Sequence, residues 1–217
     1  MLSEGAREQM VEQQVRAAEV LDERILDTLR AVPRERFVPE RWRELSFADS
    51  EIPLPCGKHM LRPMLIGRIL QAVGVRSGER VLEIGTGSGY LSACLAHLGG
   101  HVRTLELHRE LADAARGHLS RLAHATPVEV VEADGLKLDE SGRYDVIVLT
   151  ASLPIYQSTF ERALRPGGRL FAVVGSGMPQ RASLIRCIGP DDCSSEPLFE
   201  TVIEPLEGAP RPAAFGF

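Results

Sequence analysis

The sequence lacks any long apolar run: no stretch approaches the roughly 18 apolar residues that a membrane-spanning helix requires. It also lacks an excess of positive charge, because 25 Lys and Arg stand against 30 Asp and Glu and give a formal net charge of −5. A general nucleic-acid binder would have a basic surface. We therefore expect neither a membrane nor a nucleic acid among the partners, and the polar, acidic first residues predict no signal peptide.

Cysteine is scarce, and its spacing is not that of a metal site. The four cysteines, Cys56, Cys94, Cys187 and Cys193, include no C-x-x-C pair. The sequence therefore predicts neither a zinc site nor a redox-active dithiol. The small number of cysteines is typical of a protein in a reducing compartment, so we expect a cytoplasmic protein without a bound metal. We also expect a monomer.

Strand and helix patterns alternate from residue 63 onward, which predicts an α/β fold with a doubly wound, mostly parallel sheet. Helices are expected over 64–75, 88–100, 109–123 and 155–168, and strands over 80–85, 101–107, 128–134, 144–151 and 169–175. Two further strands, over 181–189 and 197–205, have no helix between them and predict a closing antiparallel hairpin.

We predict that the first 62 residues form an appendage that packs on this core. Residues 6–31 form two helical patterns, the second capped by Asp22, and residues 32–55 carry four prolines and are mostly irregular. We predict a single domain over 1–217, in which 1–62 supplies N-terminal helices and a substrate loop and 63–217 supplies the cofactor-binding core.

A glycine-rich turn follows the first buried strand of the core, in the segment VLEIGTGSGY. Glycines at 85, 87 and 89 permit a tight turn and a close approach of the backbone to a ligand. A dinucleotide site would need G-x-G-x-x-G, but position 90 is Tyr90. The G-x-G-x-G spacing, with Glu83 two residues before it, is the pattern of S-adenosylmethionine sites.

Two further acids end the next two strands of the pattern. Glu106 lies 17 residues after Gly89, about where a carboxylate binds ribose hydroxyls, and Asp134 could reach the adenine amino group. Open α/β sheets bind ligands at the carboxyl ends of their strands. The predicted cofactor set is Glu83, Gly85, Thr86, Gly87, Ser88, Gly89, Glu106, Leu107, Asp134 and Gly135.

Taken with these motifs, the chain resembles the protein-L-isoaspartate O-methyltransferase family nearly end to end. The segment MVEQQVRAAEVLDERILDTLRAVPRERFVPE is similar to the family's N-terminal helices and its VPR-x-x-FVP signature. VLEIGTGSGY, EADG, YDVIVLTASLP and LRPGGRL resemble its later motifs in the same order, with Ser152 and Leu153 where two alanines are usual.

The resemblance implies a seven-stranded methyltransferase fold with an altered strand order near the C-terminus. It also implies methyl transfer from S-adenosylmethionine to the abnormal α-carboxylate of isoaspartyl residues in damaged proteins. The methyl ester then collapses to a succinimide, which partly reopens as normal aspartate. Isoaspartyl proteins or peptides are therefore the expected partners.

The loop CGKHMLRP departs from the family pattern D-x-P-L-P-I-G-x-G-Q-T-I-S-x-P. Asp49, Pro53, Gly57 and Pro63 match it, whereas His59 replaces the family threonine and Leu61 the family serine. The resemblance makes this loop the substrate-binding segment, whose candidate residues are Lys58, His59, Met60, Leu61 and Arg62. No catalytic residue is assigned.

The chemistry leaves the acceptor open at this stage. A carboxylate is already ionised at pH 7 and needs orientation rather than a base, and Lys58 or Arg62 could hold it by a charge-assisted bond. A hydroxyl or amine acceptor often needs a base, for which His59 could serve. The alternatives are a methyltransferase acting on another small molecule or peptide, and a cofactor-binding protein without useful transferase activity.

Overall fold

The computed structural model describes residues 2–122, 127–189 and 192–212. Its strands are β1 Ile52–Pro53, β2 His59–Met60, β3 Arg80–Ile84, β4 His101–Glu106, β5 Glu129–Glu132, β6 Tyr144–Leu153, β7 Leu164–Val174, β8 Gln180–Gly189 and β9 Asp192–Thr201. The last seven form one sheet in the order β5-β4-β3-β6-β7-β8-β9. Strands β3 to β7 are parallel, and β8 is antiparallel to both of its neighbours. The predicted fold class and closing hairpin are confirmed.

The α-helices are α1 Leu2–Met10, α2 Glu23–Ala31, α3 Pro63–Val73, α4 Tyr90–His97, α5 Arg109–Leu119 and α6 Thr159–Arg162. The side chain of Asp22 accepts from the backbone N–H of Arg24 and caps α2, as predicted. A π-helical turn over Val11–Val15 follows α1, and Glu19 in the left-handed region at φ 67° separates this segment from α2.

Residues that alternate along the central strands divide the core between the two faces of the sheet. Val81, Val146 and Val148 pack with the N-terminal helices, α3 and α4. Leu82 and Ile147, their neighbours in sequence, pack on the opposite face. Side chains on a strand alternate between faces, so a run of apolar residues fills both layers. The N-terminal appendage thereby covers one face of the core sheet.

The predicted helix over 155–168 is mostly wrong. The helix has only four residues, Thr159–Arg162, and β7 begins at Leu164 rather than at 169. Proline has no backbone N–H, and it disfavours the helical region at the residue before it. Pro166 therefore prevents the helix from continuing, and Leu164 pairs with Tyr144 of β6 instead.

Other element boundaries also differ from the predicted ranges, among them the end of α5 and the bounds of β9. Helix α5 ends at Leu119 rather than at 123, and the last predicted residue of that helix lies outside the described residues. Strand β9 spans Asp192–Thr201 rather than 197–205. Residues 202–209 instead run back across the carboxyl end of β6, where Pro205 bridges to Ser152 in parallel. We call residues 202–209 the C-terminal segment.

The hairpin of β8 and β9 also brings together two cysteines whose pairing was not predicted from the sequence. Cys187 and Cys193 lie opposite each other on β8 and β9 and form a disulfide, whereas Cys56 and Cys94 are free. The two residues do not form a C-x-x-C motif, so their spacing did not predict a bond that depends on the strand register. The carboxylate of Glu161 lies within 4.8 Å of both sulfur atoms, which the disulfide already uses. None of the helices in the described ranges is long and apolar enough to cross a membrane.

Candidate active site

The turn after β3 can be built only with glycine at its first position. Gly85 has φ +96°, and a Cβ there would come within 2.2 Å of the Thr150 Oγ1. That hydroxyl, at the carboxyl end of β6, donates to the Gly85 carbonyl at 2.7 Å. The backbone of the turn is therefore held directly against the neighbouring strand and leaves its other side open to a ligand.

Glu106 stabilises this turn from the end of β4. One carboxylate oxygen accepts from the Gly87 N–H at 2.9 Å and the other from the His108 N–H at 3.0 Å. The residue is buried. A carboxylate has about four lone-pair positions, so Glu106 can accept further bonds from hydroxyl groups.

Asp134 and Gly135 follow β5 at the same edge of the sheet. The Asp134 carboxylate accepts from the Leu136 N–H at 3.0 Å and lies 3.3 Å from the Lys137 ammonium nitrogen. A Cβ on Gly135 would come within 2.4 Å of the Ile84 side chain. Glycine thus lets this segment lie directly against the end of β3.

A cleft of about 790 Å³, including solvent at its mouth, opens along these strand ends. Of the predicted cofactor set, it is lined by Gly85, Gly87, Glu106, Leu107, Asp134 and Gly135. Of the predicted substrate set, it is lined by Lys58, His59 and Leu61. The structure therefore brings the two sets together at one site, at the point where β3 lies between β4 and β6.

Glu83 lies behind the turn and not in the main cleft. It lines a smaller cavity of about 340 Å³, which shares His59, Leu61, Gly85, Gly87 and Thr150 with the cleft. Its Oε2 accepts from the Ser92 hydroxyl, and its Oε1 has no hydrogen-bond partner among the described residues. Burial raises the pKa of this carboxyl from 4.5 to about 7.

The other members of the predicted cofactor set have different surroundings. Thr86 and Ser88 line the small cavity, but the Thr86 hydroxyl is already hydrogen-bonded to that of Thr104 at 2.7 Å. Gly89 lines neither space. A Cβ there would come within 3.2 Å of the Ala115 side chain, so this glycine allows α4 and α5 to pack closely.

The charged residues of the substrate loop are already paired across the cleft mouth. Lys58 lies 2.6 Å from a Glu207 carboxylate oxygen, which also lies 3.1 Å from the His108 Nε2. The Nδ1 of His59 lies 2.9 Å from the Glu204 Oε1. The Lys58 hydrogen bond is the largest cause that holds the pKa of the Glu207 carboxyl below its usual range. Both carboxylates come from the C-terminal segment.

Met60 and Arg62 do not line the main cleft, and the Leu61 backbone is bound to the N-terminal appendage. Met60 is buried and lines the small cavity. Arg62 lines neither space and donates to the Thr201 hydroxyl at 3.3 Å. The Leu61 carbonyl accepts from the guanidinium of Arg34 at 2.8 Å. Arg34, the arginine of the VPR-x-x-FVP motif, is fully buried and also donates to the Ser46 carbonyl at 2.9 Å. It therefore fixes the loop to the N-terminal appendage.

Ser152 explains how the C-terminal segment reaches the cleft. Its hydroxyl accepts from the Gln180 side-chain amide at 2.9 Å and donates to the Ile203 carbonyl at 3.2 Å. Its backbone bonds to Glu204 and Leu206, both at 2.8 Å. These bonds set the course of the segment that presents Glu204 and Glu207.

Sequence reasoning missed several residues that line the cleft: Glu51, His108, Thr150, Glu204 and Glu207. The strand-end rule that selected Glu106 and Asp134 would also have selected Thr150, which lies near the end of the YDVIVLTA pattern. Glu207 gave no such signal, because it lies beyond the last predicted strand, and Glu204 was placed inside the strand predicted over 197–205, whereas β9 ends at Thr201. Burial raises the pKa of the half-buried Glu51 carboxyl, so the mouth contains three acids in different surroundings.

Comparisons with known proteins agree with this geometry. A family model for protein-L-isoaspartate(D-aspartate) O-methyltransferase matches residues 5–208. The chain is 38% identical to protein-L-isoaspartate O-methyltransferase 1 of Rhodopseudomonas palustris, over 96% of this chain and 88% of that protein. It is 39% identical to protein-L-isoaspartate O-methyltransferase 2 of Pelobacter propionicus, over 95% and 92%.

A solved structure from Plasmodium falciparum, named for the same activity and in complex with S-adenosyl-L-homocysteine, shares the fold. It aligns with a TM-score of 0.79 and 18% identity, over 93% of this chain and 98% of that chain. The match of the family model to nearly the whole chain, together with the curated relatives, shows that the chain belongs to the protein-L-isoaspartate(D-aspartate) O-methyltransferase family.

Proposed function

We propose that this protein is an S-adenosylmethionine-dependent methyltransferase that esterifies the α-carboxylate of L-isoaspartyl residues in damaged proteins. The observation that carries the proposal is the single cleft at the carboxyl ends of β3, β4 and β6, which the substrate loop and the cofactor residues line together. Membership of the family supplies the acceptor. It favours repair methylation over the two alternatives left open by the sequence.

The residues at the turn fit S-adenosylmethionine. Gly85 and Gly135 form a wall that a Cβ would fill, and Glu83 has an unpartnered buried carboxylate oxygen beside it. A buried carboxylate suits the cationic amino group of the cofactor. We assign Glu106 to the ribose hydroxyls and Asp134 to the adenine amino group. When bound, the cofactor supplies an electrophilic methyl group.

The task of the protein is then to orient the acceptor and exclude water. An isoaspartyl carboxylate is ionised near pH 7 and brings no proton to remove. The apolar, buried Leu61 and the glycine turn both line the cleft. No general base is required from the residues that line this space.

The test is methyl transfer from labelled cofactor to an isoaspartyl peptide, with the otherwise identical aspartyl peptide as control. We expect labelling of the isoaspartyl peptide alone. Glu106→Ala should weaken cofactor binding in calorimetry and reduce labelling in parallel. Equal labelling of both peptides, or cofactor binding without any labelling, would overturn the acceptor assignment.

Three further expectations from the sequence stay predictions. A monomer and the absence of nucleic acid are tested by sedimentation with and without added nucleic acid. The cytoplasmic location is tested by subcellular fractionation. The Cys187–Cys193 disulfide bears on that location, because reducing compartments disfavour such bonds.

A further inference from the structure

His59 occupies the loop position at which the family pattern has threonine. Its ring lines both the main cleft and the small cavity beside the glycine turn. Its Nδ1 lies 2.9 Å from the Glu204 Oε1, and its Nε2 has no hydrogen-bond partner in the part of the chain that the structure describes. The histidine is thus held on one side and available on the other.

The carboxylate of Glu204 determines which nitrogen carries a proton. An ionised carboxylate can only accept hydrogen bonds, so the contact places a proton on Nδ1. In the neutral ring Nε2 would then be an acceptor, and in the imidazolium it is a donor. An acceptor would repel a substrate carboxylate, whereas a charged donor would bind it.

Most of the charged groups that surround His59 are carboxylates. Glu204 contacts the ring, and Glu51 and His59 influence each other through their charges. Arg62 also acts on Glu51, and Glu83 lines the same small cavity as His59. Lys58, next in the chain, is paired with Glu207, which His108 also contacts. Among these groups, Glu204 is the carboxylate in direct contact with the ring.

The other two basic residues of the loop are engaged elsewhere. Lys58 has its short contact with Glu207, and Arg62 is bonded to Thr201 outside the cleft. The sequence left either of them as a candidate to hold the acceptor, and that role stays a prediction, although each has another partner in the structure. His59 lines the cleft, and its Nε2 has no hydrogen-bond partner among the described residues.

We propose that His59, oriented by Glu204, binds the acceptor carboxylate through its Nε2–H in the imidazolium form and so replaces the missing threonine hydroxyl. The inference rests on the proposed function, since it concerns the same acceptor. His59 acts as a donor and not as a base, because a carboxylate brings no proton. Binding of the acceptor is therefore expected to weaken when a rise in pH removes the proton from the imidazolium, while a threonine hydroxyl carries no such charge.

The experiment is the pH dependence of KM for the isoaspartyl peptide between pH 6 and 8.5, at saturating cofactor. We compare the wild type with His59→Thr, which restores the family residue and leaves Glu51, Glu83 and His108 in place. KM of the wild type should rise by roughly ten- to a hundred-fold, the value of one charge-assisted bond. KM of His59→Thr should stay nearly flat, and kcat should change less than KM in both proteins.

Two control variants test whether the pH dependence of KM comes from His59 and its contact with Glu204. His101→Thr changes a histidine at the opposite end of β4 and should keep the pH profile of the wild type. Glu204→Gln keeps a hydrogen-bond partner but removes its charge, and should move the rise in KM to lower pH. If the wild type and His59→Thr have the same profile, the inference is wrong.

A binding measurement without turnover completes the test. In the complex with S-adenosyl-L-homocysteine, the ring signals of His59 are followed by NMR during a pH titration. Saturating isoaspartyl peptide should raise the pKa of His59, and the aspartyl peptide should not. No shift with a peptide that is methylated would overturn the role of His59 while the proposed function stands. Absence of methylation at every pH, despite cofactor binding, would overturn the proposed function itself.

Discussion

Replacing Glu83 by glutamine tests whether the buried carboxylate behind the glycine turn destabilises the fold when it is ionised. The carboxyl group is completely buried, and its Oε1 has no partner within the described ranges. Burial is the largest cause that raises its pKa from 4.5 to about 7. Since one pKa unit corresponds to about 1.4 kcal/mol, holding the ionised group in the fold costs about 3 kcal/mol relative to the unfolded chain.

The sign of the effect follows from proton binding. The folded protein keeps the proton to a higher pH than the unfolded chain does, so stability falls as the pH rises from 4.5 to about 7 and stays lower above it. Glutamine does not titrate. Relative to the wild type, Glu83→Gln should therefore be more stable at pH 8 than at pH 4.5 by about 3 kcal/mol in the free energy of unfolding.

Urea unfolding of both proteins at the two pH values measures this difference. Glu132→Gln, which removes an exposed carboxylate on β5, controls for the loss of one negative charge. A pH-independent difference between Glu83→Gln and the wild type would refute the reasoning. Under the proposed function, S-adenosylmethionine at pH 8 should also raise the Tm of the wild type more than that of the variant, because the ligand partners the buried carboxylate.

The remaining predictions concern the frame of the site, and urea unfolding measures each. Gly85→Ala should lower the free energy of unfolding by about 3 kcal/mol through backbone strain and the clash with Thr150. Gly117→Ala, in α5 with nothing within 4 Å, should raise it by about 0.5–1 kcal/mol. Equal effects of the two substitutions would contradict the requirement for glycine at position 85. Arg34→Lys should cost about 3 kcal/mol, because an ammonium cannot reach the Ser46 and Leu61 carbonyls together, and an unchanged midpoint would contradict this. Ser152→Ala should cost about 1–2 kcal/mol and speed proteolysis of the C-terminal segment; unchanged proteolysis would show that other contacts hold it.

The sequence predicted those parts of the fold that depend on local pattern. The apolar runs in RVLEIG and YDVIVLTA marked β3 and β6 as buried strands. The strand-end rule placed Glu106 and Asp134 at one edge of the sheet before their contacts were known. Each of these inferences used residues a few positions apart, where sterics and periodicity are decisive.

The features that the sequence did not predict depend on contacts between residues that no local pattern relates. Pro166 ended the predicted helix early, and the strand that replaced it is defined by its partner Tyr144. The disulfide between Cys187 and Cys193 depends on hairpin register, which spacing alone does not give. Glu204 reaches His59 across 145 positions of sequence. Long-range contacts of this kind follow from the course of the C-terminal segment, which Ser152 determines.

The residues of the site also differ in how strongly packing constrains them. Gly85 and Gly135 cannot be changed without moving Thr150 or Ile84, because their missing Cβ atoms define the wall itself. His59 is under no such constraint, since its ring is partly exposed and meets its partner through one carboxylate. A loop of constant length can therefore exchange a hydroxyl for an imidazole without disturbing the cofactor wall. What the exchange does require is a nearby negative charge, and the C-terminal segment supplies it from outside the loop.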